Sequence, residues 1–212
     1  MENNQGANIS PEKYILTKIW TAPREVFQFI NDNKYDKYTD KLFILSGIAS
    51  ALSNHNLGDS FSLLTIITIC VVFGGLFGWI SLYFYSFLIS LTGGWLNGKS
   101  NTDSMIRIVA YSYLPIVFTI FCIVIQISIY GVEVFKTDGD LTADSLFFNI
   151  LGLGSIFVEL ILSIWSIVLL VIGISVTQKF SVWKSILNMI LPALIIIVPL
   201  IIIIGIIYLF SN

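Results

Sequence analysis

Charged residues are scarce in this chain of 212 residues. Asp, Glu, Lys and Arg together make up 11% of it, whereas a soluble globular domain typically carries about 25%. So few charges cannot cover a water-exposed surface, and the sequence has no dense Lys/Arg face of the kind that binds nucleic acid. The composition therefore excludes an ordinary soluble domain, and we expect no nucleic-acid partner.

Groups that ligate metals or act as nucleophiles are almost as rare. The chain has two cysteines, Cys70 and Cys122, both inside apolar runs, and one histidine, His55. Neither cysteine belongs to a disulfide or zinc pattern, and the motifs of metalloproteases, serine hydrolases and P-loop NTPases are missing. Glu159 is the one acidic residue deep inside an apolar run, so a pair of catalytic carboxylates is not available there. We expect no enzyme activity, no cofactor and no metal site.

Long apolar runs take up most of the chain, which is 56% hydrophobic with a mean hydropathy of +0.89. Runs at about 61–91, 105–131, 146–177 and 185–210 each exceed the roughly 20 residues that a helix needs to cross a bilayer. A fifth run, Leu42–Leu52, covers only about 17 Å as a helix, which is about half of the ~30 Å hydrocarbon thickness. On length alone it would be a re-entrant or half-span element.

The distribution of Lys and Arg indicates that this fifth run also crosses the bilayer. If it does, the two sides carry ten and one basic residues; if it does not, they carry seven and four. Basic residues collect on the cytoplasmic side of membrane proteins, so the larger asymmetry favours five spans with the N-terminus in the cytoplasm and the C-terminus outside. The predicted fold is all-α, a polytopic helical bundle in a lipid bilayer, with spans at about 38–56, 61–91, 105–131, 146–177 and 185–210.

The residues before the first span form the other predicted unit. Residues 1–34 are predicted to be a cytoplasmic tail with short amphipathic helices, one starting at Ser10-Pro11 and one at Pro23, and residues 35–212 the membrane domain. The two helices are too short to span and suit the membrane surface or the cytoplasmic face of the protein. The Ile- and Asn-rich composition favours a prokaryotic cytoplasmic (inner) membrane.

Small residues and prolines predict where helices pack and bend. Gly74 and Gly78 belong to a ridge of small residues in the second span, which allows another helix to approach closely, within the chain or in a homodimer. Pro115 removes a backbone donor from the third span and predicts a kink there. Pro192 and Pro199 lie in the last span.

A polar stripe and a carboxylate predict a polar site inside the membrane. Residues of the third span that recur on one helical face are expected to point into the bundle. A carboxylate near the middle of the fourth run costs several kcal/mol if charged, so it takes a proton or finds donors. Three interpretations remain open: a hydrogen-bonded structural carboxyl, a site for a solute, ion or proton, and a contact with a partner helix. The candidate residues on these two faces are Glu159, Gln126, Ser155, Ser163, Ser166, Ser112 and Thr119.

Short motifs occur in a recognisable order along the chain. They are Ile19-Trp20-Thr21-Ala22-Pro23-Arg24 before the first span, a Gly-rich second span ending in Gly93-Gly94, and Ala110-Tyr111-Ser112-Tyr113-Leu114-Pro115 opening the third span. Together they resemble the Yip family (Ypt-interacting-protein domain), most closely its prokaryotic-type branch. The resemblance implies five spans with a cytoplasmic N-terminus. It marks Gly93, Gly94, Tyr111, Ser112 and Pro115 as positions that determine shape, and it carries over no catalytic residue.

Eukaryotic members of that family are associated with Rab-type small GTPases and vesicle traffic. This chain lacks the Asp-Leu-x-Gly-Pro signature before the first span, so we do not expect a Rab-type partner. The leading hypothesis is a non-enzymatic integral membrane protein that organises or scaffolds membrane proteins or lipids, with another membrane protein or a second copy as partner. The alternative is a small-solute or ion permease that uses Glu159 and Gln126.

Overall fold

The computed structural model describes residues 10–54 and 56–211, and this part of the chain is helical with no strand. The first nine residues of the predicted tail and His55 in the first predicted span lie outside the described residues. A π-helical turn, Cys70–Gly74, joins the helix Leu63–Ile69 to the helix Gly75–Trp95 without a break, and a 3-10 turn, Gly131–Phe135, follows the helix Leu114–Tyr130. The α-helices are α1 (Pro11–Lys18), α2 (Pro23–Asp32), α3 (Thr39–Leu52), α4 (Leu63–Ile69), α5 (Gly75–Trp95), α6 (Thr102–Ser112), α7 (Leu114–Tyr130), α8 (Leu146–Gln178) and α9 (Val182–Ser211).

Four helical segments are long and apolar enough to cross a membrane: Leu63–Trp95, Thr102–Phe135, Leu146–Gln178 and Val182–Tyr208. The prediction of an all-helical bundle is confirmed. The α3 helix has 14 residues and a length of about 21 Å, which is shorter than a typical span of roughly 20 residues. The fifth span therefore stays a prediction.

Helix boundaries follow from local sequence. The Ser10 hydroxyl accepts a hydrogen bond from the Lys13 amide at the start of α1, and Pro23 occupies the first turn of α2. The Asn101 side chain caps α6 through the Ser104 amide at 2.9 Å. These residues satisfy or replace amide donors that have no partner inside the first turn of a helix.

The larger apolar core lies where α1 and α2 pack against α6 and α8. Four of its side chains come from the two N-terminal helices and are almost fully buried: Ile15, Val26, Phe27 and Ile30. Gly173 of α8 allows α6 to pack closely on α8, because a Cβ at this position would lie 2.5 Å from a methyl carbon of Ile108 on α6. We call this part of the molecule the α1–α2 end. The predicted boundary at residue 34 lies in the connector between α2 and α3, and the division into tail and membrane domain stays a prediction.

A smaller core, which includes Leu52, Ile66, Ile123 and Phe135, lies at the opposite end, which we call the far end. Between the two ends, most exposed large apolar side chains lie on α5 as far as Phe87, on α7, on α8 as far as Val168, and on α9. This belt is an apolar surface suited to lipid. The helix segments nearest α1 and α2 are covered instead by protein.

Candidate intramembrane polar site

The Glu159 carboxylate connects three helices. Its Oε1 accepts a hydrogen bond from the Ser53 hydroxyl at 2.7 Å, and its Oε2 accepts one from the Gln126 side-chain amide at 3.1 Å. Ser53 follows the last residue of α3, Gln126 lies on α7 and Glu159 on α8. The carboxyl group therefore links the end of α3 and the C-terminal part of α7 to α8.

Close packing of α7 on α8 brings these groups together. A Cβ at Gly152 of α8 would lie 2.0 Å from the Tyr130 hydroxyl oxygen of α7. With only hydrogen at that position, the two helices approach closely, as small residues allow in membrane bundles. Seven residues after Gly152, two helical turns along α8, the Glu159 side chain reaches α7.

The site lies at the edge of the bundle. Gln126 is 4% exposed and Glu159 is half-buried, while its chain neighbours Val158 and Leu160 are 45% and 54% exposed. The carboxyl head thus turns toward α3 and α7 and its flanking side chains point outward. Such a group can tether helices through its two oxygens, and it can also exchange a proton.

The hydroxyl groups predicted beside this carboxylate make other contacts. The Ser163 hydroxyl donates to the backbone carbonyl of Glu159 at 2.9 Å, and the Ser155 hydroxyl donates to that of Gly152 at 2.7 Å. The Thr119 hydroxyl donates to a carbonyl of its own helix. Of the predicted site residues, the structure therefore brings only Gln126 to the Glu159 carboxylate, and it adds Ser53.

Ser166 and Ser112 meet at a separate point, where the third segment breaks. Tyr113 separates α6 from α7, and Pro115, which has no N–H, lies in the first turn of α7. The Ser166 hydroxyl of α8 donates to the Ser112 carbonyl at 2.8 Å, and the Ser46 hydroxyl of α3 lies 3.5 Å from the Tyr113 carbonyl. Hydroxyl groups of neighbouring helices thus donate hydrogen bonds to backbone carbonyls at the interruption between α6 and α7. Such bonds matter in a membrane interior, where water is not available to make them.

The glycine ridge of the second segment packs on α3. A Cβ at Gly78 would lie 2.2 Å from the Cα of Gly47, and one at Gly74 would lie 2.6 Å from the Ala51 Cβ. Gly94, on the same ridge, has no atom within 4 Å of such a Cβ. The two ends of the ridge therefore differ, and close approach is required only at the α3 contact.

The other positions predicted to determine shape also differ in how closely they are packed. A Cβ at Gly93 would lie 2.1 Å from the Gln178 amide nitrogen, so this glycine makes room for a side chain of α8. Tyr111 is buried in the larger core. In α9, Pro192 is buried and Pro199 is exposed, and the helix continues through both.

Comparison with protein families gives one match: a family model described as the Yip1 domain matches residues 17–204. The chain belongs to the Yip1 family. The matched range covers most of the chain and includes the Glu159 contacts and the Gly93 and Pro115 motifs. With its apolar helices, this Yip1-family chain is an integral membrane protein. A search of the curated proteins and a search of the solved structures gave no significant match.

Sequence reasoning missed several residues that the Yip1-family fold uses. Ser53, Ser46 and Gln178 each bind a partner more than 60 positions away, and no local pattern marks such a pair. Gly47 is the exception, because an isolated glycine within a short apolar run is a recognisable sign of close helix packing.

Proposed function

We propose that this protein is a non-enzymatic component of the membrane that organises other membrane proteins or lipids. The observation that carries the proposal is the hydrogen bonding of Glu159: its Oε1 accepts a hydrogen bond from Ser53 and its Oε2 accepts one from Gln126. A carboxyl group used in this way stabilises the bundle, and its acceptors are already occupied within the chain.

The exposed apolar surface supports the same proposal. Side chains of α9 from Leu194 to Tyr208 that the structure describes are mostly exposed, and residues such as Ile197, Ile201 and Ile204 are about half exposed or more. This length of helix offers a continuous apolar face to lipid or to a helix of another protein. Contacts in a membrane depend on such packing.

Five crossings fit the contacts of α3. At its start, Asp40 accepts hydrogen bonds from the Tyr83 hydroxyl at 2.6 Å and from the Trp79 indole at 3.2 Å, and near its end the Ala51 carbonyl accepts one from the Cys70 thiol at 3.4 Å. The helix therefore runs antiparallel to Leu63–Trp95 for about 20 Å.

The connector after α3 supports a crossing as well. The Gly58 amide donates to the Phe135 carbonyl at 2.7 Å, and the Thr137 hydroxyl donates to Asp59 at 3.0 Å. Residues 56–62 thus lie beside the connector that follows α7, at the far end of the bundle. With the basic residues concentrated at the α1–α2 end, we place that end in the cytoplasm of a prokaryotic cell and the C-terminus outside.

The alternative function is a permease for an ion or small solute. It is favoured by one observation, the half-buried position of Glu159 between exposed apolar side chains of α8. A carboxyl group there could exchange protons or bind a cation if its contacts with Gln126 and Ser53 opened.

Two experiments separate these functions, one on the purified protein and one in cells. In vesicles, we expect proton, sodium and potassium fluxes no higher than in protein-free vesicles; a flux that Glu159→Leu abolishes would establish the permease. In cells, a photo-crosslinking residue at Ile197 should give a discrete protein adduct, and the same residue at the buried Ile123 serves as the control. If Ile197 crosslinks only to lipid, the organisation of other membrane proteins through α9 is wrong.

A further inference from the structure

Four cationic side chains surround a cleft of about 470 Å³ at the α1–α2 end. Lys34 follows α2, Lys99 lies between α5 and α6, Arg107 is on α6 and Lys179 follows α8. Of the described residues that line the cleft, Asp103 is the acidic one. We call this feature the basic cleft. Its excess of positive charge is suited to an anion.

Arg107 is the decisive residue, because it is buried and has no counter-ion among the described residues. The residue is 9% exposed, and its Nε has no hydrogen-bond partner. Its Nη2 donates to the Ser104 hydroxyl at 3.1 Å. Among the described residues the ion pairs join other groups, so no carboxylate lies within 4 Å of the guanidinium. A buried charge without a partner is strongly unfavourable.

Three acids line the clefts that Arg107 borders. Asp103 lies four residues before Arg107 on α6 and lines both clefts. Asp36 and Asp40 line a neighbouring cleft that Arg107 also borders. Asp40 already accepts hydrogen bonds from Trp79 and Tyr83. None of these three carboxylates lies within ion-pair distance of the guanidinium, so the charge of Arg107 is available to a bound anion.

Thr177 provides a second unpartnered donor. This residue of α8 is 6% exposed, lines the basic cleft, and its hydroxyl has no hydrogen-bond partner. The first turn of α6 lies in the same wall, with Asn101 and Ser104 among the lining residues. Amide groups at a helix N-terminus carry partial positive charge and favour anions.

Backbone conformation sets the positions of two of the lysines. Lys34 and Lys179 have φ angles of +49° and +59°, in the left-handed region where glycine or asparagine is preferred after a helix. A lysine adopts this backbone conformation less favourably than glycine or asparagine does. In both places the residue instead contributes a cation to the basic cleft.

We propose that the basic cleft binds a phosphate group. The Arg107 guanidinium matches phosphate oxygens through paired N–H donors, the Thr177 hydroxyl supplies a further donor, and Lys34, Lys99 and Lys179 supply charge at the mouth. The phosphate belongs either to a small soluble molecule or to the headgroup of an anionic lipid at the membrane boundary.

Two probes of the full-length protein distinguish these sources. The first is inorganic phosphate, added to protein in a non-ionic detergent, with chloride at equal ionic strength as the reference; a bound anion raises Tm. The second is a nanodisc of phosphatidylcholine containing phosphatidic acid, from which native mass spectrometry counts the retained phosphatidic acid. We expect at least one probe to bind. A rise in Tm indicates a soluble phosphate, and retained lipid without that rise indicates a headgroup.

Variants decide whether the basic cleft is the site. The double variant Lys34→Asn/Lys179→Asn has asparagine, which tolerates a left-handed backbone, at both positions. It should weaken the binding of the phosphate probe by about ten-fold or more. Lys13→Gln with Lys18→Gln removes the same charge from exposed positions of α1 and should leave binding unchanged. The proposal fails if neither probe binds, if the cleft variant binds as well as the parent protein, or if both double variants weaken binding equally.

Discussion

Replacing Glu159 and Gln126 by leucine, singly and together, measures how much their contact stabilises the bundle. In Glu159→Leu the Gln126 amide, which is 4% exposed, loses its acceptor. In Gln126→Leu the Glu159 Oε2 loses its donor. In the double variant neither polar group remains, so neither is left without a partner.

The magnitude follows from the contacts. An unsatisfied buried donor costs about 1–3 kcal/mol, and polar contacts between membrane helices are worth about 0.6–2 kcal/mol. Ser53 retains the Ala49 carbonyl at 3.2 Å, so it adds little to the loss. We therefore expect each single variant to lose about 1–2 kcal/mol, and the double variant to lose about 1 kcal/mol less than their sum.

Thermal unfolding in detergent provides the assay. For a chain of this size, 1 kcal/mol corresponds to a Tm shift of about 2–4 °C. A Glu159→Gln variant serves as a control that preserves shape, and it should lose only one of the two hydrogen bonds. Strictly additive losses, or a Glu159→Leu variant more stable than the parent, would refute a structural role for this carboxyl.

Three further predictions concern other contacts. Gly78→Ala should lower Tm by several degrees or prevent folding, because its Cβ would lie 2.2 Å from backbone of α3, whereas Gly94→Ala, with nothing within 4 Å, should be neutral or stabilising. Ser166→Ala should cost about 1 kcal/mol, since the Ser112 carbonyl loses its hydroxyl donor. An ion pair with Lys37 lowers the pKa of Glu12 from 4.5 to about 2, so the stabilisation is full above pH 4.5 and is lost as the pH falls toward 2.

Each of these predictions has an outcome that contradicts it. Equal Tm changes in the two glycine variants would mean that the contact with α3 is looser than the distances indicate. An unchanged Tm in Ser166→Ala would mean that another donor reaches the carbonyl. A Glu12→Gln variant whose stability relative to the parent does not change between pH 4.5 and 2 would show that the ion pair does not form.

The sequence predicted the fold class because its signals are local. Long apolar runs, proline and glycine positions, and the excess of basic residues before Leu42 each report on their own segment. The break near Pro115 could be predicted in part in this way, since proline removes a backbone hydrogen bond and favours a kink or a break in the helix. The side chains that support the break, Ser46 and Ser166, could not be predicted, because their partners are set by how α3 and α8 pack.

The candidate site was predictable only in part, for the same reason. Glu159 and Gln126 stand out as polar residues in apolar runs, and their pairing was among the predicted possibilities. The roles of Ser155 and Ser163 were not foreseen, because a serine inside a helix often donates to a carbonyl of its own preceding turn. Ser53 lies just past a run that was too short to be recognised as a span by length.

Labelling of single cysteines in intact cells tests the five-crossing layout most directly. In a background with Cys70→Ser and Cys122→Ser, a membrane-impermeant maleimide should react with Ser60→Cys from outside, and with Lys99→Cys only after the membrane is opened. Ser60 is exposed in the connector after α3 and Lys99 is exposed between α5 and α6. Reaction at Lys99→Cys in intact cells, with Ser60→Cys protected, would contradict this layout.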